Sequence, residues 1–414
     1  MPMSRERSFD YVLVGGGLAN GLVALALAHH RPTCTIAVVE RGQTLGGNHT
    51  WCFHGGDVPS SAAPWIDPLV VRRWDGYRVS FPGFSRRIGS AYACVSSEQL
   101  HHVVASTLSR MPGSSVLTHT EVADATSGRV VLTDGRVLDA GLVVDARGPD
   151  PASVGPAAGY QKFLGLEVEL AAPHRIDEPI VIDADIEQRD GFRFLYALPF
   201  GPTRALLEDT YFSDTPELDA VASRRFLLEE IERRGLRLRR VLREESGVLP
   251  LPWESTSPSH PQGEPPARPV AGSPGREDGG TSPFAAGWKG GWFHPVTGYS
   301  FPSAVRVAQL LATSPPAGPS PEVFRRFAAA HHRQRRFAHL LNWMLFRLYE
   351  PGDRRNVLAR FYGLPEDSIR RFYALETTTS DRARILCGRP PRGLTLRRLL
   401  QRDATTLEPS EPPT

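Results

Sequence analysis

Residues 9–40, FDYVLVGGGLANGLVALALAHHRPTCTIAVVE, constrain the chain more than any other stretch. The apolar run at 11–14 is short enough for a buried strand. Gly15, Gly16 and Gly17 follow, and then Leu18, Leu22, Leu25 and Ala26 recur at helical spacing. A second apolar run, 35–39, ends on Glu40. Strand, glycine turn, helix, strand and acid is the order of a dinucleotide-binding βαβ unit. Gly15 permits the tight turn, and Gly17, lacking a Cβ, lets backbone N–H groups close on a pyrophosphate at the positive end of the helix dipole. Glu40 stands where an acid accepts hydrogen bonds from a ribose. Asn20 replaces the third glycine of the fingerprint, with Gly21 beside it. Gly16, Leu18, Ala19, Asn20 and Arg41 complete this half of the candidate site. A glycine turn in an ordinary α/β protein is the plainer alternative, but strand, helix and acid agree on the dinucleotide.

A chain of 414 residues can build two or three layers around a large core. A hydrophobic fraction of 41% and a charged fraction of 22% fit a soluble globular class. The net charge of +3, from 48 basic and 45 acidic residues, is too mild to argue for nucleic acid. Cys34, Cys52, Cys94 and Cys387 are scattered without a CxxC pair, which reads as reduced thiols of a cytoplasmic protein and argues against a metal site. The first residues have no apolar signal-peptide core, and no run of about eighteen apolar residues predicts a spanning helix. A membrane partner is therefore expected to be touched from one side.

Residues 41–54, RGQTLGGNHTWCFH, read as a loop broken by Gly46 and Gly47. Asn48, His49, Thr50 and Trp51 crowd together in it. A capped turn around a buried Trp is the plainer reading; a loop folding back over the cofactor is the functional one. Residues 97–109 predict a helix with Leu100, Val103, Val104 and Leu108 on one face. Residues 130–133 and 136–138 predict a hairpin around Asp134-Gly135. A further strand, 142–144, ends in Asp145-Ala146-Arg147-Gly148, a run that in many FAD enzymes returns the chain to the glycine turn.

Residues 163–170, 180–186, 192–199 and 204–211 alternate as strands of a mostly antiparallel, half-buried sheet, interrupted by a helix at 221–234. Residues 253–282 are rich in Pro, Gly and Ser and predict a flexible insertion. Order resumes with a strand at 284–288. A loop at 295–300 then feeds a helix from Phe301, a second helix N-terminus suited to an anion. Gly287, Pro295, Thr297, Gly298, Tyr299 and Ser300 are its candidate contacts. Residues 321–348 predict a long amphipathic helix with Phe337, Leu340, Leu341, Met344, Leu345 and Leu348 on one stripe and many arginines around it. It reads either as a solvated face over a core or as a peripheral membrane contact. The implied division is 8–158 with an excursion near 55–90, 159–252, 253–282, 283–320, 321–403 and a disordered tail at 404–414.

Several segments together resemble the bacterial lycopene β-cyclases: DYVLVGGGLANGLVALAL, GGNHTWCFH, YQKFLGLEVEL, DGFRFLYALPF, LLEDTYFSD, GVLPLPW, GGWFHPVTGYSFPSAV, LNWMLF, RFYGLP and CGRPP. The chain departs from the family in the insertion after Trp253, in the tail after Leu400, and in Trp292 and Phe301, where smaller aliphatic residues are expected. The resemblance implies a glutathione-reductase-type, Rossmann-like α/β FAD-binding domain with an antiparallel substrate sheet and a helical C-terminal region. It implies a redox-neutral closure of the linear ends of lycopene, or of other linear carotenoids, into β-ionone rings, giving γ-carotene and then β-carotene. It implies FAD kept reduced by NAD(P)H. It further implies a cytoplasmic enzyme on the inner face of the cell membrane, without metal or nucleic acid.

Protonating an isolated alkene, a poor base, needs a carboxylic acid that stays neutral near pH 7 in apolar surroundings. Glu208, in Leu206-Leu207-Glu208-Asp209-Thr210, is the candidate, and the resemblance favours it as the essential acid with Asp209 in support. Because strand neighbours point to opposite faces, only one of the pair faces the substrate; a salt-bridged strand end is the plainer reading. Trp51, Trp292, Phe293 and Tyr299 are expected near the flavin as aromatic faces for the cation, each worth up to about 2 kcal/mol when desolvated. Glu208, His294 or the flavin is left to take the final proton. A redox flavoprotein, such as a hydroxylase or an isoprenoid or carotenoid reductase, and a carotenoid carrier without chemistry are the competing functions.

Overall fold

The computed structural model describes residues 7–148, 158–253 and 282–395. The interior of the expected Pro/Gly-rich insertion and the C-terminal tail lie outside the described residues.

The first sheet is built from the apolar runs that the sequence marks as buried strands. Arg7–Val14 lies between Ile36–Val39 and Val137–Asp145, parallel to both, and Ser115–Leu117 extends the sheet beyond Ile36–Val39. Ile36 to Val39 are buried on both faces, as parallel strands covered by helices must be. Leu18–His30 and Phe301–Thr313 pack against each other on one face and are themselves almost wholly enclosed. The hairpin around Asp134-Gly135 forms as expected, with Gly135 at φ +84°. Its second strand and the strand expected at 142–144 are one continuous strand, Val137–Asp145.

The second sheet runs in the order Leu238–Pro252, Ala158–Leu170, Arg204–Ser213, Phe192–Gly201, Ile180–Asp183, Tyr77–Phe81 and Phe84–Ile88. Every pairing is antiparallel except Ile180–Asp183 with Tyr77–Phe81. Its two faces do different things. Leu164, Leu166, Leu195, Ala197 and Leu207 pack under the helix Ala220–Arg233, while the opposite face looks into the molecule.

A third sheet of three short strands, Thr50–His54, Tyr92–Ser96 and Arg72–Trp74, bridges the two. It corrects the expectation that 41–54 is wholly loop: only the part before Thr50 is. The strand expected at 284–288 is likewise shorter, Phe284–Ala285, because the chain turns at Gly287 (φ +56°). The long helix Pro321–Leu348 turns most of its apolar stripe inward. Phe337, Leu345 and Phe346 are buried, Arg325, Arg326, Arg333 and Arg336 are exposed, and Leu340 alone of the stripe stands 43% exposed. Among the described residues no helix is long and apolar enough to cross a membrane, and no cluster of His, Cys, Asp and Glu is arranged to hold a metal.

Candidate functional site

One cavity of about 1250 Å³ runs from the glycine turn, past the second sheet, to the C-terminal helices. At its first end the N-termini of Leu18–His30 and Phe301–Thr313 both open on it. Neither has a side-chain cap: Gly17 has no side chain to offer, and the Ser300 hydroxyl makes no capping bond. Two sets of free N–H groups, each at a positive dipole end, thus face the same space, which is a site for an anion such as a pyrophosphate. A Cβ on Gly17 would touch nothing within 4 Å and would stand in the cavity. Gly15 needs glycine for another reason: its φ of +90° belongs to the left-handed region, and a Cβ would come within 3.1 Å of the Arg147 nitrogen.

Glu40 lines the cavity with its carboxylate already oriented. The Gly16 N–H donates to Oε2 and the Gly42 N–H to Oε1, each at 2.7 Å, which leaves further lone pairs for ribose hydroxyls. Together the cleared turn, the two uncapped helix ends and the oriented acid fit a dinucleotide. Gly15, Gly17, Leu18, Ala19, Arg41, His49, Trp51, Gly287, Thr297, Gly298, Tyr299 and Ser300 line the cavity with it.

The remaining expected contacts stand back from the cavity. Gly16 is occupied in orienting Glu40. The Asn20 side-chain amide donates to the carbonyls of Val14 (2.9 Å) and Gly15 (2.8 Å), so it holds the turn together and explains why an amide replaces a glycine there. Asp145 is fully buried and holds Arg147 (2.7 Å) and Lys289; Arg147, which the sequence reading overlooked, is the one that reaches the cavity. Asn48 is exposed and bonds to Glu244 and Arg243. The Pro295 carbonyl accepts from Asn342 at 2.6 Å.

Farther in, the inward face of the second sheet supplies Phe163, Phe194, Tyr196, Glu208 and Phe212. Strand alternation puts Glu208 on this face and Asp209 on the other. Glu208 is half-buried and lines the cavity. Burial among these apolar and aromatic groups is the main reason its carboxyl is pushed up to about 8. The negative charge of Glu245 adds to the effect, and the hydrogen bond donated by Thr210 opposes it. Across the strand pair, Tyr196 stands directly opposite Glu208, and its hydroxyl contacts Tyr92 and Cys52, each at 3.1 Å.

Four expectations are corrected here. Asp209 does not support Glu208 from within the cavity: it is buried behind the sheet and bonded to Arg193 and the Tyr211 hydroxyl. His294 is also absent from the cavity wall. Its Nδ1 accepts from the Val296 N–H at 3.1 Å, its ring lies 4.5 Å from that of Phe372, and burial lowers it to about 3. Trp292 packs among Phe324, Phe327 and His331 with its indole N–H on the Ala285 carbonyl. Phe293 stacks behind Trp288 at 3.8 Å, and it is Trp288 that faces the cavity. The cavity therefore takes its aromatic from Trp288, just before the GGWF run and directly after the turn at Gly287, rather than from Trp292 or Phe293 within it.

Past Glu208 the wall becomes almost purely apolar: Leu341, Met344, Leu345 and Leu348 from the long helix, then Val357, Leu358, Phe361 and Leu364. The cavity reaches the surface at Leu386, Pro390, Pro391 and Leu394, where Leu386 is 42% and Leu394 48% exposed. Arg384, Arg389 and Arg392 of the same segment are exposed beside them.

A family model described as "Lycopene cyclase protein" matches residues 10–399. The lycopene beta-cyclase of Pantoea ananas is 39% identical over 386 residues, covering 92% of this chain and 95% of that protein. That of Paracoccus sp. (strain N81106 / MBIC 01143) is 35% identical over 389 residues, covering 92% and 94%. Among solved structures, a geranylgeranyl bacteriochlorophyll reductase-like protein of Thermoplasma acidophilum superposes with a TM-score of 0.58 at 12% identity, covering 92% of this chain and 96% of that one. The flavin-dependent brominase Bmp2 gives 0.53 at 14% identity, covering 96% and 98%. The fold is accordingly the α/β, Rossmann-like FAD-binding architecture, here with a helical C-terminal region.

Proposed function

Because the chain belongs to the lycopene cyclase family, we propose that it closes the linear ends of lycopene into β-ionone rings by acid catalysis. The observation that carries this reading is the placement of Glu208. Its carboxyl, held neutral near pH 7, faces an aromatic and aliphatic cavity continuous with a dinucleotide cradle.

Gly15, Gly17, Glu40, Arg41, Thr297, Gly298 and Ser300 are the residues that would hold FAD. Reduced FAD, maintained by NAD(P)H, would supply an electron-rich ring that favours positive charge on the hydrocarbon. The chain's own residues account for the proton. The Glu208 O–H adds its proton to the terminal alkene and leaves a tertiary cation. The neighbouring alkene attacks that cation, forming the ring bond and moving the charge onto the ring. Loss of an adjacent ring proton restores a double bond, so one proton is given, one is recovered and no electrons are exchanged. The Glu208 carboxylate, steadied by Thr210, is the base already in the cavity for that last step. The hydroxyls of Tyr92 and Tyr196 and the thiol of Cys52 engage one another, which keeps these potential nucleophiles from trapping the cation.

The substrate is a hydrocarbon stored in lipid. The exposed Leu386 and Leu394, flanked by arginines, form a lip suited to rest on an anionic membrane surface from the cytoplasmic side. This segment, rather than the long basic helix, is the proposed peripheral contact.

Expression in a lycopene-producing bacterium followed by pigment analysis tests the function. Cyclised carotenoid is expected, and unchanged lycopene beside folded, flavin-loaded protein would overturn it. Consumption of NAD(P)H in proportion to product would point instead to a redox flavoprotein.

A further inference from the structure

Glu208 and Glu245 share the inward face of the second sheet. Gly165 pairs with Glu208 on one side and with Glu245 on the other. The two glutamates therefore stand in one cross-sheet row, two strand spacings apart, or about 10 Å between Cα atoms. The residue between them has no side chain. A Cβ at Gly165 would come within 3.2 Å of Glu245 Cγ and of Leu206 Cδ1 and 3.6 Å of Glu208 Cβ, so only an apolar methyl stands near the gap. The glycine leaves low-dielectric space between the carboxyls in which each senses the other's charge.

The two acids are partnered differently. Glu245 is buried and accepts from Arg243 at 2.8 Å and from Thr50 at 3.2 Å. Among the described residues no cation is paired with Glu208, and the Thr210 hydroxyl donates to it. Where two like charges compete, the one with the guanidinium ionises and the other keeps its proton. Burial raises both groups, Glu245 to about 7 and Glu208 to about 8, and that order agrees with their partners.

Resting on the reading of Glu208 as the acid, we propose that Glu245 is a positioning residue that keeps the proton on Glu208. The other titratable and charged groups around Glu208 act on it less, Asp209 adding a smaller repulsion than Glu245. On the same sheet face, Glu167 is tied to Arg204 and Arg243. Tyr196, Tyr92 and Cys52, facing from the neighbouring strand and the small sheet, bond to one another. Asp209, behind the sheet, is paired with Arg193. Glu245 is the charged group that the sheet register aims at Glu208 across Gly165.

The test is the pH–rate profile of the flavin-loaded Glu245→Gln variant. Its alkaline limb is expected to move to lower pH by roughly half a unit or more, with KM for lycopene unchanged. Glu245→Asp, which keeps the charge, is expected to return the limb toward its original position. An unmoved limb in a folded E245Q protein overturns the proposal. Should E245Q not fold, a pH titration followed by infrared absorption of protonated carboxyls decides on the unmodified chain. The band missing from E208Q must persist to higher pH than the Glu245 band, and the reverse order overturns the proposal. An active E208Q enzyme would instead remove the acid itself, so the two failures are distinguishable.

Discussion

Arg193 makes two parallel hydrogen bonds to Asp209, at 2.7 and 2.9 Å, on the face of the strand that Glu208 does not use. Both partners are buried, so removing one strands the other. Asp209→Ala is expected to destabilise the fold by about 3–5 kcal/mol. Turnover per folded, flavin-loaded molecule should remain within a few-fold of the parent. Urea unfolding read alongside flavin-normalised activity separates the two effects, and a stable but inactive D209A protein would return Asp209 to the chemistry.

Glu208→Gln keeps the shape of the acid and loses its exchangeable proton. General acid catalysis is worth about 10²–10⁴-fold, so cyclisation should fall by at least that range. Assay by pigment analysis with matched flavin content measures it.

The same residue sets a pH dependence of stability. Its folded pKa, about 8, lies above the ordinary glutamate value of 4.5. The folded state therefore binds more protons than the unfolded state between those limits. The stability gained from this is fully present below pH 4.5 and is lost as pH rises toward 8. E208Q should flatten that part of the curve and be relatively more stable than the parent at alkaline pH. Thermal midpoints measured across the range check the sign.

Leu386→Asp combined with Leu394→Asp alters two exposed positions at the cavity mouth, where substitutions usually change stability by less than about 0.5 kcal/mol. Each leucine offers roughly 1.5–3 kcal/mol of burial in lipid. The double variant should therefore lose more than about tenfold in binding to anionic vesicles in flotation assays while keeping its melting temperature. Unchanged flotation would move the membrane contact elsewhere.

Local signals told the sequence reading most of the fold. The βαβ unit is written in contiguous residues, while Glu208 stands out through the family resemblance of its segment, since a Glu-Asp pair on a strand reads by itself as a salt-bridged strand end. What stayed hidden depends on partners distant in sequence or on the aim of a turn. Nothing local says that Asp209 meets Arg193, or that Glu245 stands beside Glu208 across Gly165. The aromatic run after Gly287 could not be oriented without knowing that residue's positive φ, so Trp292 and Phe293 were expected where Trp288 stands. His294 looked chemical because histidines often are; its partners, Val296 and Phe372, come from a loop and a helix that meet only in the folded chain.

The two helices that end bare at the glycine turns carry a cost until something negative arrives between them. With neither Gly17 nor Ser300 supplying a cap, both N-termini present their positive poles to one cavity. A bound cofactor removes that penalty and, by mass action, adds about 2.7 kcal/mol when present at a hundred times its dissociation constant. Removal of that cofactor is therefore expected to lower the melting temperature of the chain, and adding it back to restore it.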